Sequence, residues 1–207
     1  MDCCCELIIS TRFLEGVMKQ ELYYATGNAG KFTEVAKYIQ LHAPHIELKQ
    51  FAVDLPEVQT TDQLAIAVAK AQQAFKMIQK PLLIDDSAIY FNKFNKFPGT
   101  LSKFVYSGLE FEGVKRLFDV GDPAHFLLYI LYVDARGQEH VFEGRCDGHL
   151  IKPLVFDADP SLPYDSFFVP DGASISYAKM RHEFTLYAHY FYRIRGLEQF
   201  LSWYLKQ

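Results

Sequence analysis

The sequence predicts an α/β fold, and three observations carry it. The apolar run Leu22–Ala25 ends in the small-residue turn Thr26-Gly27-Asn28-Ala29-Gly30 and opens a helical pattern over about Lys31–Leu41. A second helical pattern, about Asp62–Gln79, leads into Pro81-Leu82-Leu83-Ile84, a continuous apolar run of the kind that forms a buried strand. Farther on, Phe126–Val133 and Glu139–Arg145 flank Asp134–Gly137 as the arms of a hairpin. This order of strands and helices is that of an α/β chain.

The first turn points to an anion. A turn of small residues at a helix N-terminus leaves backbone N–H groups unpaired, and the helix dipole favours negative charge there. Lys31 adds a full positive charge one turn into the helix, so phosphate is the simplest ligand. The spacing excludes a P-loop, because Gly27 and Gly30 are too close and Phe32 follows the lysine. A plain Asn N-cap with a glycine bend accounts for the same residues without any ligand.

Ile46–Val53 reads as the next strand, running into Asp54-Leu55-Pro56-Glu57. The helix of about Asp62–Gln79 follows, with Thr60 and Gln63 in capping-box spacing. Leu64, Ala67, Val68, Ala71, Phe75 and Ile78 give it an apolar face, with Lys70 beside that face. On these grounds alone Lys70 reads first as a snorkelling surface lysine.

Asp85-Asp86-Ser87 closes the buried run at its carboxyl end, where open α/β sheets place their ligands. Adjacent aspartates point to opposite sides, so one faces the site while the other supports it. Hard oxygen ligands beside a phosphate pocket suit Mg²⁺, although two solvated turn aspartates are the plainer alternative. Asn92–Lys96 reads as a polar turn, and Pro98-Gly99 opens a loop before the helical pattern Leu101–Leu109. Asp157–Leu162 is an irregular loop, and Tyr187–Leu205 is aromatic and helix-like.

Composition narrows the class. At 207 residues and 50% hydrophobic, the chain can bury a substantial core as one domain. A net charge of −4 supplies no general basic field for nucleic acid. No apolar run reaches the ~18 residues of a membrane span. Four cysteines, three of them crowded at Cys3-Cys4-Cys5, give no disulfide framework, so a reduced, cytoplasmic location is expected.

In combination these motifs resemble the inosine triphosphate pyrophosphatase family, which clears non-standard purine nucleoside triphosphates. The likeness runs from about Glu21 to the C-terminus. It comprises Thr26-Gly27-Asn28 with Lys31, Asp54-Leu55-Pro56-Glu57, Lys70, Leu83-Ile84-Asp85-Asp86-Ser87 and Phe97-Pro98-Gly99 with Lys103. Phe142-Glu143-Gly144-Arg145 with Gly148, Tyr164-Asp165 with Phe168, and Pro170-Asp171-Gly172 complete it. The match leaves residues 1–17 as an N-terminal extension and 18–207 as the nucleotide pyrophosphatase domain. The extension lacks the pattern of a signal peptide, since acidic residues interrupt its short apolar run.

The resemblance implies a long, curved mixed central sheet with flanking helices, two lobes around an active cleft, and a homodimer. It implies Asp86 as the catalytic carboxylate, Glu57, Asp86 and Asp85 as metal candidates for Mg²⁺, and Asp85 alternatively as a supporting neighbour. Thr26, Gly27, Asn28, Lys31, Lys70, Ser87 and Lys103 would hold phosphate oxygens. Tyr164, Asp165, His189 and Arg193 would read the base of a purine nucleoside triphosphate.

Base reading is where this chain departs from the family. Leu162-Pro163 stand where relatives place Phe-Gly, which removes a stacking ring and a backbone donor. The C-terminal Ser-His-Arg unit is also missing. Ala188-His189-Tyr190 keeps its histidine and Phe191-Tyr192-Arg193 its arginine, and Arg195 is a further donor. Three readings follow: a pyrophosphatase for inosine, deoxyinosine and xanthosine triphosphates, the same hydrolase with shifted base preference, or a nucleotide-binding protein with little turnover.

Overall fold

A computed structural model describes residues 19–207, without the side chains of Phe184 and Thr185; the extension expected at 1–17 lies outside the described residues. The elements run β1 (Gln20–Ala25), α1 (Ala29–His42), β2 (Ile46–Phe51), α2 (Gln63–Ile78), β3 (Leu82–Phe91), β4 (Pro98–Gly99) and α3 (Ser102–Val114). Then come β5 (Pro123–Val133), β6 (Glu139–Leu150), β7 (Phe168–Pro170), α4 (Tyr177–Met180), α5 (Phe184–Tyr190) and α6 (Tyr192–Tyr204). They form one mixed seven-stranded sheet of order β2-β1-β3-β5-β6-β7, with β4 paired to β3. The α/β fold with a mixed sheet is the one expected.

Strand β1 pairs in parallel with β2 on one side and β3 on the other. The chain therefore leaves β1 through α1 in one direction and returns through α2 in the other. That reversal makes the crevice beyond the carboxyl end of β1 the switch point of the sheet. Side-chain alternation sorts the faces. Leu22, Tyr24, Leu83 and Ile89 pack with α1 and α6, whereas Ala25, Leu82 and Ile84 pack against Ala67, Ala71 and Ala74 of α2.

Several local expectations are corrected. Strand β3 does not stop at the aspartates, because β5 pairs with its whole length from Leu82↔Val133 to Phe91↔Ala124. It is β1 that ends, after pairing at Leu83, and so opens the crevice beside Asp85 and Asp86. The cap of α2 is Asp62, whose carboxylate accepts from Ala65 N at 3.1 Å, rather than Thr60 with Gln63. Gln63 is buried and donates across the sheet to the carbonyls of Asp86 and Leu127, which leaves it no reach back to a cap. Leu64 is exposed while Ile66 and Ala74 are buried, so the α2 face is rotated from the one expected.

Pro98-Gly99, expected as loop, is the short strand β4. The C-terminal segment is two helices that break at Phe191. Helix α6 lies close on β6 because Gly144 lacks a side chain. A Cβ there would stand 2.0 Å from the Tyr192 carbonyl oxygen.

Candidate active site

A cavity of about 1020 Å³ fills the crevice. The α1 turn Thr26–Lys31, Glu57 and Lys70 line it, together with Asp85-Asp86-Ser87 from β3, Lys103 and Tyr106 from α3, and the stretch Asp159–Asp165. Twelve of the fourteen residues expected in the site stand on its wall, Arg193 and His189 being the exceptions.

The turn works as a helix start. Asn28 Oδ1 accepts from Lys31 N at 3.0 Å, so its side chain is committed to capping α1. Thr26 Oγ1 accepts from Asn28 N at 3.1 Å and fixes the bend. No acidic residue occupies the first turn of α1, which leaves its positive dipole end open to the cavity. A Cβ at Gly30 would stand 3.2 Å from Asn28 Oδ1 and 3.5 Å from Ser161 Oγ, so glycine suits the narrow wall there.

The two aspartates diverge as alternation requires. Asp85 faces α1 and α6 and spends both oxygens on protein: Tyr24 Oη and Lys31 Nζ donate to Oδ1 at 2.7 and 3.2 Å, and Arg193 Nε to Oδ2 at 3.1 Å. Burial raises the pKa of such a carboxyl, but Lys31 and Arg193 outweigh it and hold Asp85 well below the usual range. With both oxygens hydrogen-bonded to protein, Asp85 stands as a supporting neighbour of the site in this arrangement.

Asp86 faces α2. Lys70 Nζ lies 3.0 Å from Asp86 Oδ1 and 2.9 Å from Glu57 Oε1. Burial pushes the Asp86 carboxyl up, against the pull of Lys70. Burial also works against the Lys70 ammonium, yet Asp86 and Glu57 hold its pKa above the ordinary value. Lys31 is lowered by burial, which Asp85 only partly offsets.

Among the described residues no cluster of three or more His, Cys, Asp and Glu is arranged to hold a metal. The Glu57–Asp86 pair nonetheless fits a hard cation. An ammonium already stands between the two carboxylates, and Mg²⁺ typically takes one or two carboxylates and completes its shell with water and substrate phosphates.

Behind the cavity wall runs a buried ion network that the sequence motifs do not contain. Arg193, 0% exposed, donates from Nη1 to Glu34 Oε2 at 2.5 Å besides its bond to Asp85. Its Nη2 is buried without a partner among the described residues. Arg181 reaches the other Glu34 oxygen and binds Asp165 Oδ2 through Nε and Nη2 at 2.8 and 2.6 Å.

Arg193 is therefore a structural cation behind the wall rather than a free reader of the base. His189 is exposed on α5, ring to ring with Tyr190 at 4.8 Å, and does not reach the cavity. Phe191, in extended conformation, separates the helix that carries His189 from the helix that carries Arg193. Tyr192 and Tyr106 line the cavity instead, with Tyr192 stacked on Phe126 at 4.7 Å. Of the residues missed, Glu34 carried a signal, since it stands one turn after Lys31 on the same helix face. Arg181, Tyr24 and Tyr106 carried none.

Fold and cleft together define a class: α/β proteins with a helix N-terminus, lysines and paired carboxylates gathered at the switch point of a mixed sheet. Within that class the chain belongs to the Ham1 family, whose model matches residues 22–203. An inosine triphosphate pyrophosphatase of Kluyveromyces lactis is 32% identical over 171 residues, covering 80% of this chain and 87% of that protein. A dITP/XTP pyrophosphatase of Thermococcus kodakarensis is 30% identical over 186 residues, covering 88% and 96%. The solved Ham1 protein of Staphylococcus aureus has a TM-score of 0.72 at 18% identity, covering 90% of this chain and 99% of that one. A HAM1 protein from Coxiella burnetii has a TM-score of 0.73 at 20% identity, covering 91% and 100%. At such identities these two show the fold alone.

Proposed function

We propose that the protein is a nucleoside triphosphate pyrophosphohydrolase that cleaves non-standard purine triphosphates, such as those of inosine, deoxyinosine and xanthosine, to the monophosphate and pyrophosphate. One observation carries this reading. The open helix start at Gly27–Lys31 and the Asp86–Lys70–Glu57 cluster line a single cavity, in a chain whose relatives bear the names of such enzymes.

The α1 N-terminus, Lys31 and Lys103 bind the triphosphate and neutralise charge that would repel a nucleophile. Asp86 takes the proton of the attacking water at the α-phosphorus, and Lys70 favours the ionised form of that carboxylate against its burial and aims it. Glu57 and Asp86 would hold Mg²⁺, which supplies charge neutralisation on the phosphate oxygens when bound. Tyr164, Asp165 and Tyr106 form the wall left for the base.

A second reading, shifted base preference on the same reaction, is favoured by Leu162-Pro163 in that wall and by the absence of His189 from it. Both readings carry a cytoplasmic homodimer with no membrane or nucleic-acid partner. The family resemblance supports the dimer, and among the described residues no helix is long and apolar enough to cross a membrane.

Pyrophosphate release across standard and deaminated nucleoside triphosphates, with and without Mg²⁺, tests the proposal. Faster release from inosine and xanthosine triphosphates than from ATP and GTP supports the first reading. Equal rates support the second, and no release from any triphosphate removes both. Sedimentation tests the dimer.

A further inference from the structure

We propose that Arg181 is a specificity-determining positioning residue: it keeps the cavity-lining Asp165 a hydrogen-bond acceptor, so that the site selects purines whose N1 carries a proton. The inference rests on the reading that this cavity binds purine nucleotides.

Asp165 sits in a short 3-10 helix, Pro163–Ser166, and lines the cavity beside Tyr164 and Leu162 while only 1% exposed. Arg181 Nε and Nη2 converge on one of its oxygens, Oδ2, at 2.8 and 2.6 Å. No hydrogen bond to Oδ1 is found among the described residues, which leaves that oxygen for a ligand. Arg181 is itself held in place. Its Nη1 binds Glu34, and its guanidinium lies 4.9 Å from the Tyr187 ring centre and 5.7 Å from that of Phe191.

The charged and titratable groups that face Asp165 are Arg181, Glu34 and Arg193, with the buried phenols of Tyr177, Tyr187 and Tyr192. Burial drives the Asp165 carboxyl up to about 6 even against the pull of Arg181. Without that guanidinium, burial and the Glu34 charge would leave Asp165 protonated at neutral pH. A buried carboxylate accepts only, whereas a carboxylic acid also donates.

A 6-oxo purine presents N1–H, a donor that pairs with the carboxylate. A 6-amino purine presents a bare N1, whose lone pair would face the carboxylate and find no proton. Protonation of Asp165 on its remaining oxygen reverses the match, because the acid O–H then donates to the bare N1 of a 6-amino purine and opposes the N1–H of a 6-oxo purine. Arg181 thus sets the sign of the discrimination without touching the base.

The test measures equilibrium binding of inosine and adenosine monophosphates by calorimetry. The full chain is used as wild type, Arg181→Met, Arg181→Lys and Asp165→Asn. Monophosphates bind without turnover, and titration of their phosphate cancels in the ratio. Wild type should prefer the inosine compound by about tenfold or more near neutral pH, the scale of one mismatched buried hydrogen bond. That preference should shrink as pH falls below about 6. Arg181→Met and Asp165→Asn should each lose it, and Arg181→Lys should restore part of it.

A folded Arg181→Met with the wild-type ratio overturns the proposal, as does a wild-type preference that is absent or constant with pH. Should Arg181→Met lack a cooperative melting transition, the wild-type pH profile and Asp165→Asn decide. Triphosphate hydrolysis without base discrimination defeats this inference and leaves the pyrophosphohydrolase reaction standing with shifted base preference. Discrimination in binding without hydrolysis defeats the catalytic reading alone. Failure of both monophosphates to bind, together with no hydrolysis of any triphosphate, defeats both.

Discussion

The Lys70 ammonium lies 3.0 Å from the Asp86 carboxylate, and the pair closes the α2 side of the cleft. Asp86 thereby meets a cation from α2, while Asp85, one residue earlier, meets Lys31 of α1 and Arg193 of α6 on the opposite face. The two neighbouring carboxylates thus meet cations on opposite faces of one strand, Asp86 toward α2 and Asp85 toward α1 and α6.

Asp86→Asn should abolish turnover, by about 10²–10⁴ for a lost general base, while the melting temperature holds. The fold survives because Lys70 keeps Glu57 as a partner. Pyrophosphate release and thermal melting of the same preparation check this. Since burial raises the Asp86 pKa, the acid limb of the wild-type rate profile should lie above the ordinary carboxylate value of about 3.9. Most of the activity remaining in Asp86→Asn would refute the role.

Glu57→Gln should raise the Mg²⁺ concentration needed for half-maximal rate, with the maximal rate changed less. A chelator should silence the wild type, and added Mg²⁺ should restore it. Titration of the rate with Mg²⁺ in both proteins distinguishes this from loss of substrate affinity.

Asp85→Asn should cost about 3–5 kcal/mol of stability at neutral pH, because it leaves buried Lys31 and Arg193 without their shared counter-charge. The sign of the pH dependence follows from the depressed pKa of Asp85. Its contribution is fully present above the unfolded-state value of about 3.9 and is lost as pH falls toward the lower folded-state value. Urea denaturation of both proteins should therefore converge at strongly acid pH. A gap that stays constant with pH would contradict this account.

Lys31→Ala and Lys103→Ala should separate binding from folding. Each should raise KM by roughly tenfold or more, the scale of one charge-assisted contact. Only Lys31→Ala should also lower the melting temperature, since Lys31 neutralises Asp85, whereas Lys103 makes no ion pair among the described residues. Equal melting losses in both variants would be inconsistent with the arrangement.

Gly144→Ala should destabilise by about 1–3 kcal/mol, the usual cost of overpacking. Its Cβ would meet backbone, the Tyr192 carbonyl oxygen at 2.0 Å and Gly196 N at 2.9 Å, which cannot swing aside as a side chain can. The shift would move α6 and with it Tyr192 in the cavity wall, so KM should rise along with the loss of stability. A wild-type melting temperature would show that β6 and α6 have more room than this.

Much of the fold was legible from short-range features. The turn after Leu22–Ala25, the helix it opens and the hairpin around Asp134–Gly137 are written within a few residues, and all three appear. The length of β3 was not legible, because Asp85-Asp86-Ser87 looks like a polar stop until β5 is seen pairing with it. Gln63 likewise reads as half of a capping box until the carbonyls of Asp86 and Leu127 are placed within its reach.

By itself the sequence determined the strand–turn–helix, the polar cluster after Ile84 and the opposite facing of Asp85 and Asp86, since strand alternation has a period of two. Only the tertiary structure decided that Asp85 is spent on Tyr24, Lys31 and Arg193. It alone decided that His189 points away from the cleft and that Arg181 holds Asp165. The physical reason is range. Caps and alternation act over a few residues, whereas Arg193 and Glu34 are 159 positions apart and meet only because α1 and α6 pack on the same face of one sheet.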